Sequence, residues 1–117
     1  METHPGVFVS SADTEDWEFD PEVGGDLHVL CTGVGVEARM SRFTDASATG
    51  PITYTPPQRE TLIVLEGRAD VEITGGPTIQ LRPGVLASIP AGVETRWRIL
   101  ERPFKEFWTI ARSENSV

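Results

Sequence analysis

Short apolar and β-branched runs alternate with turn residues along the whole chain, and no stretch carries a helical period of useful length. Leu27–Leu30 and Val34–Phe43 predict two strands, the second followed by a polar loop over 44–50. Ile52–Thr55 is short and extended, and Pro56-Pro57 ends it by removing two ladder donors. Glu60–Glu66 predicts a strand that stops at Gly67, and Ala69–Thr74 predicts the next, closed by Gly75-Gly76 as a hairpin turn. Thr78–Leu81, Ala87–Ile89, Thr95–Leu100 and Phe104–Ala111 complete the series, with turns at Arg82-Pro83-Gly84 and Pro90-Ala91-Gly92. About nine short strands without a helix predict a closed all-β architecture. The expected organisation is an irregular arm over 1–26 with one short strand near Val7–Val9, a barrel over 27–111, and a frayed tail over 112–117.

Composition narrows the functions this architecture can serve. A chain of 117 residues is one domain by size. Its formal net charge is −8, with ten basic residues against eighteen acidic ones and no basic cluster. Nucleic-acid binding draws on Lys and Arg at phosphates, and anionic membranes attract the same residues, so neither partner is expected. No apolar run approaches the ~20 residues of a membrane helix, and residues 1–10 lack a secretory pattern. Cys31, the single cysteine, excludes an internal disulfide and suits a reducing cytoplasm, the expected location. The early acidic residues Glu15, Asp16, Glu18, Asp20, Glu22 and Asp26 read as a solvated segment.

Two spacings then stand out. Glu60 is followed by six residues and Gly67, and Gly84 by five residues and Pro90-Ala91-Gly92, with the Gly-Gly hairpin between them. In this order the two spacings resemble the paired motifs of the cupin superfamily (RmlC-like). Trp97, five residues after Gly92, and Lys105 on the following strand resemble one branch of it. That branch includes ethanolamine-utilisation cupins and (S)-ureidoglycine aminohydrolase-like proteins. The resemblance covers roughly residues 27–110 and implies a single-domain cupin β-barrel, a jelly roll, that forms homodimers. The arm, with Trp17 and Phe19, is expected to cover a sheet edge, across to a partner.

The metal histidines of those motifs are missing. Their places fall on Tyr54 and Pro56, or Thr53 and Thr55, and on Thr95. His4 and His28 lie outside both motifs. One carboxylate and some hydroxyls make a poor transition-metal site, so no bound Mn, Fe, Ni or Zn and no other cofactor is expected.

Strand alternation puts Glu60, Leu62 and Val64 on one face, and Thr95, Trp97 and Ile99 on another. If Glu60 and Thr95 keep the ligand positions of the motifs, Trp97 shares their cavity and Tyr54 lies near its rim. A carboxylate in an apolar barrel needs a cation, and Lys105 or Arg39 is the expected partner. The expected ligand-binding residues are therefore Glu60, Trp97, Thr95, Tyr54 and Arg39. Glu60, Lys105 and Tyr54 are the candidate catalytic groups, with Glu60 as base and Lys105 or Tyr54 as acid or electrophile. The sequence reads as a cupin that binds a small polar metabolite without a metal. Two alternatives are a non-catalytic dimeric sensor or accessory module, and a metal enzyme with a site shifted onto His28, Glu60 and Tyr54.

Overall fold

The computed structural model describes residues 1–111, and the expected tail at 112–117 lies outside them. Ten strands and no helix make up the described chain: β1 Glu2–His4, β2 Val7–Phe8, β3 Glu18–Asp20, β4 Gly25–Cys31, β5 Val36–Phe43, β6 Ile52–Tyr54, β7 Glu60–Ile73, β8 Thr78–Leu81, β9 Leu86–Ile89 and β10 Thr95–Ala111. The fold is all-β, as the turn spacing predicts.

The sequence reading divides at two points where the chain does not. Glu60–Glu66 and Ala69–Thr74 are one strand, β7, of 14 residues. Thr95–Leu100 and Phe104–Ala111 are likewise one strand, β10, of 17 residues. Gly67 and Pro103 bend these strands without ending them. The two strands pair antiparallel along nearly their full lengths, from Thr95↔Ile73 to Ile110↔Glu60, with register shifts around Glu101–Lys105. Gly67 has φ +76, and a Cβ there would run into the carbonyl oxygens of Glu101 and Pro103. One bend nests in the other, so only a residue without a side chain fits.

Each long strand therefore belongs to two sheet halves. The first half of β10 lies between β6 and the second half of β7, which pairs onward with β8. The second half of β10 lies between β5 and the first half of β7, which pairs onward with β9. β4 and then β3 extend the β5 side. Phe43, Leu62, Val64, Ala69, Val71, Leu81, Trp97 and Phe104 form the apolar core between the halves.

The arm is more ordered than an irregular segment. β1 and β2 form a small hairpin, and β3 covers the edge of β4 in its own chain. Trp17 lies under the Arg42 guanidinium, 4.3 Å from its ring centroid, while Arg42 also pairs with Asp26 at 2.9 Å. Trp17 thus packs on its own barrel, whereas Phe19 stays 70 % exposed. No helix among the described residues is long and apolar enough to cross a membrane.

Candidate functional site

Period-2 alternation sends one set of side chains from each strand into a cavity of about 120 Å³. Arg39, Ser41 and Phe43 come from β5, Ile52 and Tyr54 from β6, and Glu60 from β7. β10 supplies Trp97 and Ile99 before its bend and Glu106 and Trp108 after it. The arm closes one side with Asp20, Glu22 and Val23. At the ~30 Å³ per molecule of liquid water, the volume corresponds to about four waters, the scale of a ligand with a handful of heavy atoms.

Glu60 is 3 % exposed. Its Oε1 accepts a hydrogen bond of 3.1 Å from Tyr54 Oη. Burial pushes its carboxyl up to about 7, although the Tyr54 bond pulls the other way. Glu106 is also buried, and its carboxyl lies well above the usual range, through burial first and the Glu60 charge second. Burial and the Glu60 carboxylate likewise raise Tyr54 far above the usual phenol value. These groups share one apolar space: the Glu60 charge disfavours ionisation of Glu106 and Tyr54, while the Tyr54 hydrogen bond favours that of Glu60.

Among the described residues, two buried side-chain polar atoms have no hydrogen-bond partner: Arg39 Nε and Glu106 Oε2. Both residues line this cavity. Orphaned buried polar atoms cost roughly 1–3 kcal/mol each, and one donor and one acceptor at the same cavity are an unusual pair to leave unmatched. The rest of Arg39 is held in place: Nη2 lies 3.4 Å from Glu37 Oε1, and Cζ lies 5.8 Å from the Trp108 ring centroid. Trp108 in turn donates from Nε1 to Ser41 Oγ at 2.8 Å.

Of the expected site residues, Glu60, Tyr54, Trp97 and Arg39 meet at this cavity. Thr95 does not line it. Its hydroxyl is fully buried, donates to the Tyr54 carbonyl at 2.6 Å and accepts from Trp97 Nε1 at 2.9 Å. Thr95 fixes the Trp97 ring and is buried away from the cavity.

The expected Glu60–Lys105 pair does not form. Phe104, Glu106 and Trp108 face inward, so Lys105 faces outward, beneath the arm. There its Nζ donates to Ala12 O at 2.6 Å and lies 3.5 Å from Glu66 Oε1. His28 is on the outer face of β4, next to the inward Leu27. Its Nε2 lies 2.7 Å from Ser10 Oγ and its Nδ1 2.7 Å from Asp16 O. The shifted metal site of His28, Glu60 and Tyr54 therefore does not assemble.

Five contributors escape the sequence reading: Glu106, Ser41, the arm residues Asp20 and Glu22, and Trp108, which the sequence reading puts on the barrel exterior and the structure puts in the cavity wall. Glu106 had a usable signal. It sits between Phe104 and Trp108 on a period-2 face, a carboxylate flanked by two core aromatics. Asp20 and Glu22 had none, because an acidic segment looks the same whether it is solvated or roofs a cavity.

Residues 35–107 match the family model described as the EutQ-like cupin domain. The chain belongs to this cupin family. Among solved structures, this cupin is similar to a putative ethanolamine utilization protein Q from Salmonella typhimurium LT2. The TM-score is 0.79 at 18% identity, over 97% of this chain and 93% of that one. It is also similar to KdgF from a Halomonas species, at TM-score 0.65 and 18% identity, over 88% of this chain and 92% of that one. The DMSP lyase DddQ from Ruegeria pomeroyi DSS-3 matches at TM-score 0.65 and 18% identity, over 87% of this cupin and 58% of that chain. No curated protein sequence matches the chain. At these identities the likeness is one of fold, and one fold hosts many reactions.

Many cupins hold a metal on histidines, and the residues of this cupin do not fit one. Thr95 has spent both hydrogen-bonding roles of its hydroxyl. Tyr54 is a phenol held protonated against Glu60. Among the described residues no group of three or more His, Cys, Asp or Glu is placed to hold a metal ion. No step through a metal follows from this donor set.

Proposed function

We propose that this cupin binds a small polar metabolite in the barrel cavity and exchanges a proton with it through Glu60. The observation that carries the reading is the pair of orphaned polar atoms, Arg39 Nε and Glu106 Oε2, at one cavity of ligand size. A ligand with an acceptor for the first and a donor for the second would satisfy both. Glu60 adds the chemistry. With its carboxyl at about 7, both protonation states are populated near neutral pH, which suits a general acid or base. Tyr54 holds the Glu60 carboxylate in place, and Trp97 and Trp108 give the ligand an apolar wall.

A thermal-shift screen of small hydroxylated, amino and carboxylic metabolites tests the reading. At least one compound is expected to raise the melting temperature of the wild type, and to lose most of that effect on Ser41→Leu, which fills the cavity. Equal shifts in both proteins, or none in either, would overturn it.

A further inference from the structure

The cavity's own charges select among polar ligands. Four carboxylates line it, Asp20, Glu22, Glu60 and Glu106, against one cation, Arg39. Acidic residues gathered at a surface mean little, because water solvates them. Glu106 is different: it is 6 % exposed, and its Oε2 faces no protein donor. Arg39 does not neutralise this end, since its guanidinium is shared with Glu37 and its Nε donor is unused. The missing complement is a cationic donor beside an oxygen.

Resting on the reading that this cavity is the binding site, we propose that its ligand is a small organic ammonium ion bearing an oxygen acceptor, with its N–H groups on Glu106 and Glu60 and its oxygen on Arg39 Nε. An anion of the same size would meet four carboxylates for one guanidinium. An uncharged polyol would satisfy the orphans but would leave the two buried carboxyls largely protonated. An ammonium ion stabilises their ionised forms, in a space where the low dielectric strengthens such contacts. The Trp97 and Trp108 rings line the same space, and aromatic rings attract cations. Asp20 and Glu22, on the arm side, would draw cations toward the site.

The charge states give this proposal a signature. The groups facing Glu106 across the cavity are Asp20, Glu22, Arg39, Tyr54 and Glu60. Glu60 and Glu106 both hold protons more tightly than free carboxyls do. A bound cation favours their ionised forms, so binding near neutral pH releases protons.

The test is calorimetric titration near pH 7 with glycinamide, methylammonium and acetate, in two buffers of different ionisation heat. Glycinamide is a cation with a carbonyl oxygen, methylammonium is a cation alone, and acetate is an anion of similar size. Glycinamide is expected to bind with proton release, read as a buffer-dependent heat, and about tenfold more tightly than methylammonium, the worth of one hydrogen bond to a charged donor. Arg39→Gln should remove that advantage without weakening methylammonium. Glu106→Gln, close in shape and checked for an unchanged circular-dichroism spectrum, should weaken both amines at least tenfold. Acetate binding that outdoes the amines and depends on Arg39 would overturn the ammonium class and leave the cavity reading intact. No binding of any probe would overturn both.

Discussion

Tyr54 Oη reaches Glu60 Oε1 at 3.1 Å across the Pro56-Pro57 turn that separates β6 from β7. This bond joins the two strands at the cavity and ties down a carboxylate that is otherwise starved of solvent. It opposes the burial that raises Glu60, so breaking it should push the Glu60 carboxyl further up. Tyr54→Phe is expected to move the Glu60 midpoint above about 7, followed by carboxyl-carbon NMR titration. A midpoint that falls on substitution would contradict this account.

Glu60 should make stability fall as pH rises. The unfolded carboxyl ionises near 4.5 and the folded one near 7, so between those values the folded state binds more protons. Stability is highest below about 4.5, declines through the window, and levels off for this group above about 7. The shift corresponds to about 3 kcal/mol as an upper figure. Glu60→Gln should flatten the decline, and it also removes the charge that helps raise Glu106. Urea unfolding of both proteins at pH 5 and pH 8 measures the difference, and parallel losses would argue against it.

Thr95→Val should cost about 2–4 kcal/mol. It removes a donor from the Tyr54 carbonyl and an acceptor from Trp97 Nε1 in a fully buried place. Thr95→Ser should recover most of the loss, because the hydroxyl carries the effect. Denaturant midpoints with tryptophan fluorescence report both stability and the Trp97 environment.

Gly67→Ala and Gly92→Ala should differ sharply despite similar backbones, φ +76 and φ +80. A Cβ at Gly67 meets the backbone of Glu101, Pro103 and Phe104, whereas one at Gly92 meets nothing within 4 Å. Gly92→Ala carries only the left-handed strain of about 1–2 kcal/mol. Gly67→Ala adds a clash that neither strand can relieve alone, and little folded protein is expected. Melting temperatures, or soluble yield, separate the two.

Lys105→Met should loosen the arm and leave ligand binding in place. It removes the bond to Ala12 O and the half-exposed pairing with Glu66. Faster proteolysis or amide exchange around residues 10–14, with an unchanged ligand response, is the expected outcome. Loss of binding with the arm still docked would return Lys105 to the site.

Most of the barrel is readable from punctuation. Gly67, Gly84 and the Pro90-Ala91-Gly92 turn sit at fixed spacings, and alternation from Glu60 and Trp97 points to the cavity. The bends were the obstacle for the strands: Gly67 and Pro103 look like ends, because whether a glycine stops a strand or bends it depends on what nests against it. Parity was the obstacle for the site. Lys105 and Glu106 are adjacent, and only the inward setting of Phe104 and Trp108 decides which of them enters the cavity. Thr95 shows a third limit, since a hydroxyl at a ligand position is silent about whether its neighbours have already used it.

The shared strand β10 also fixes when the cavity comes into being. Trp97, Ile99, Glu106 and Trp108 all lie on it, and its partners Glu60 and Ile73 are made dozens of residues earlier. A nascent chain that has reached only β9 has both halves of β7 waiting for a central strand, and its apolar inner faces are open to water. Such long-range pairing closes slowly and cooperatively. The cavity therefore appears together with the barrel, once β10 has been made and has paired with both halves of β7.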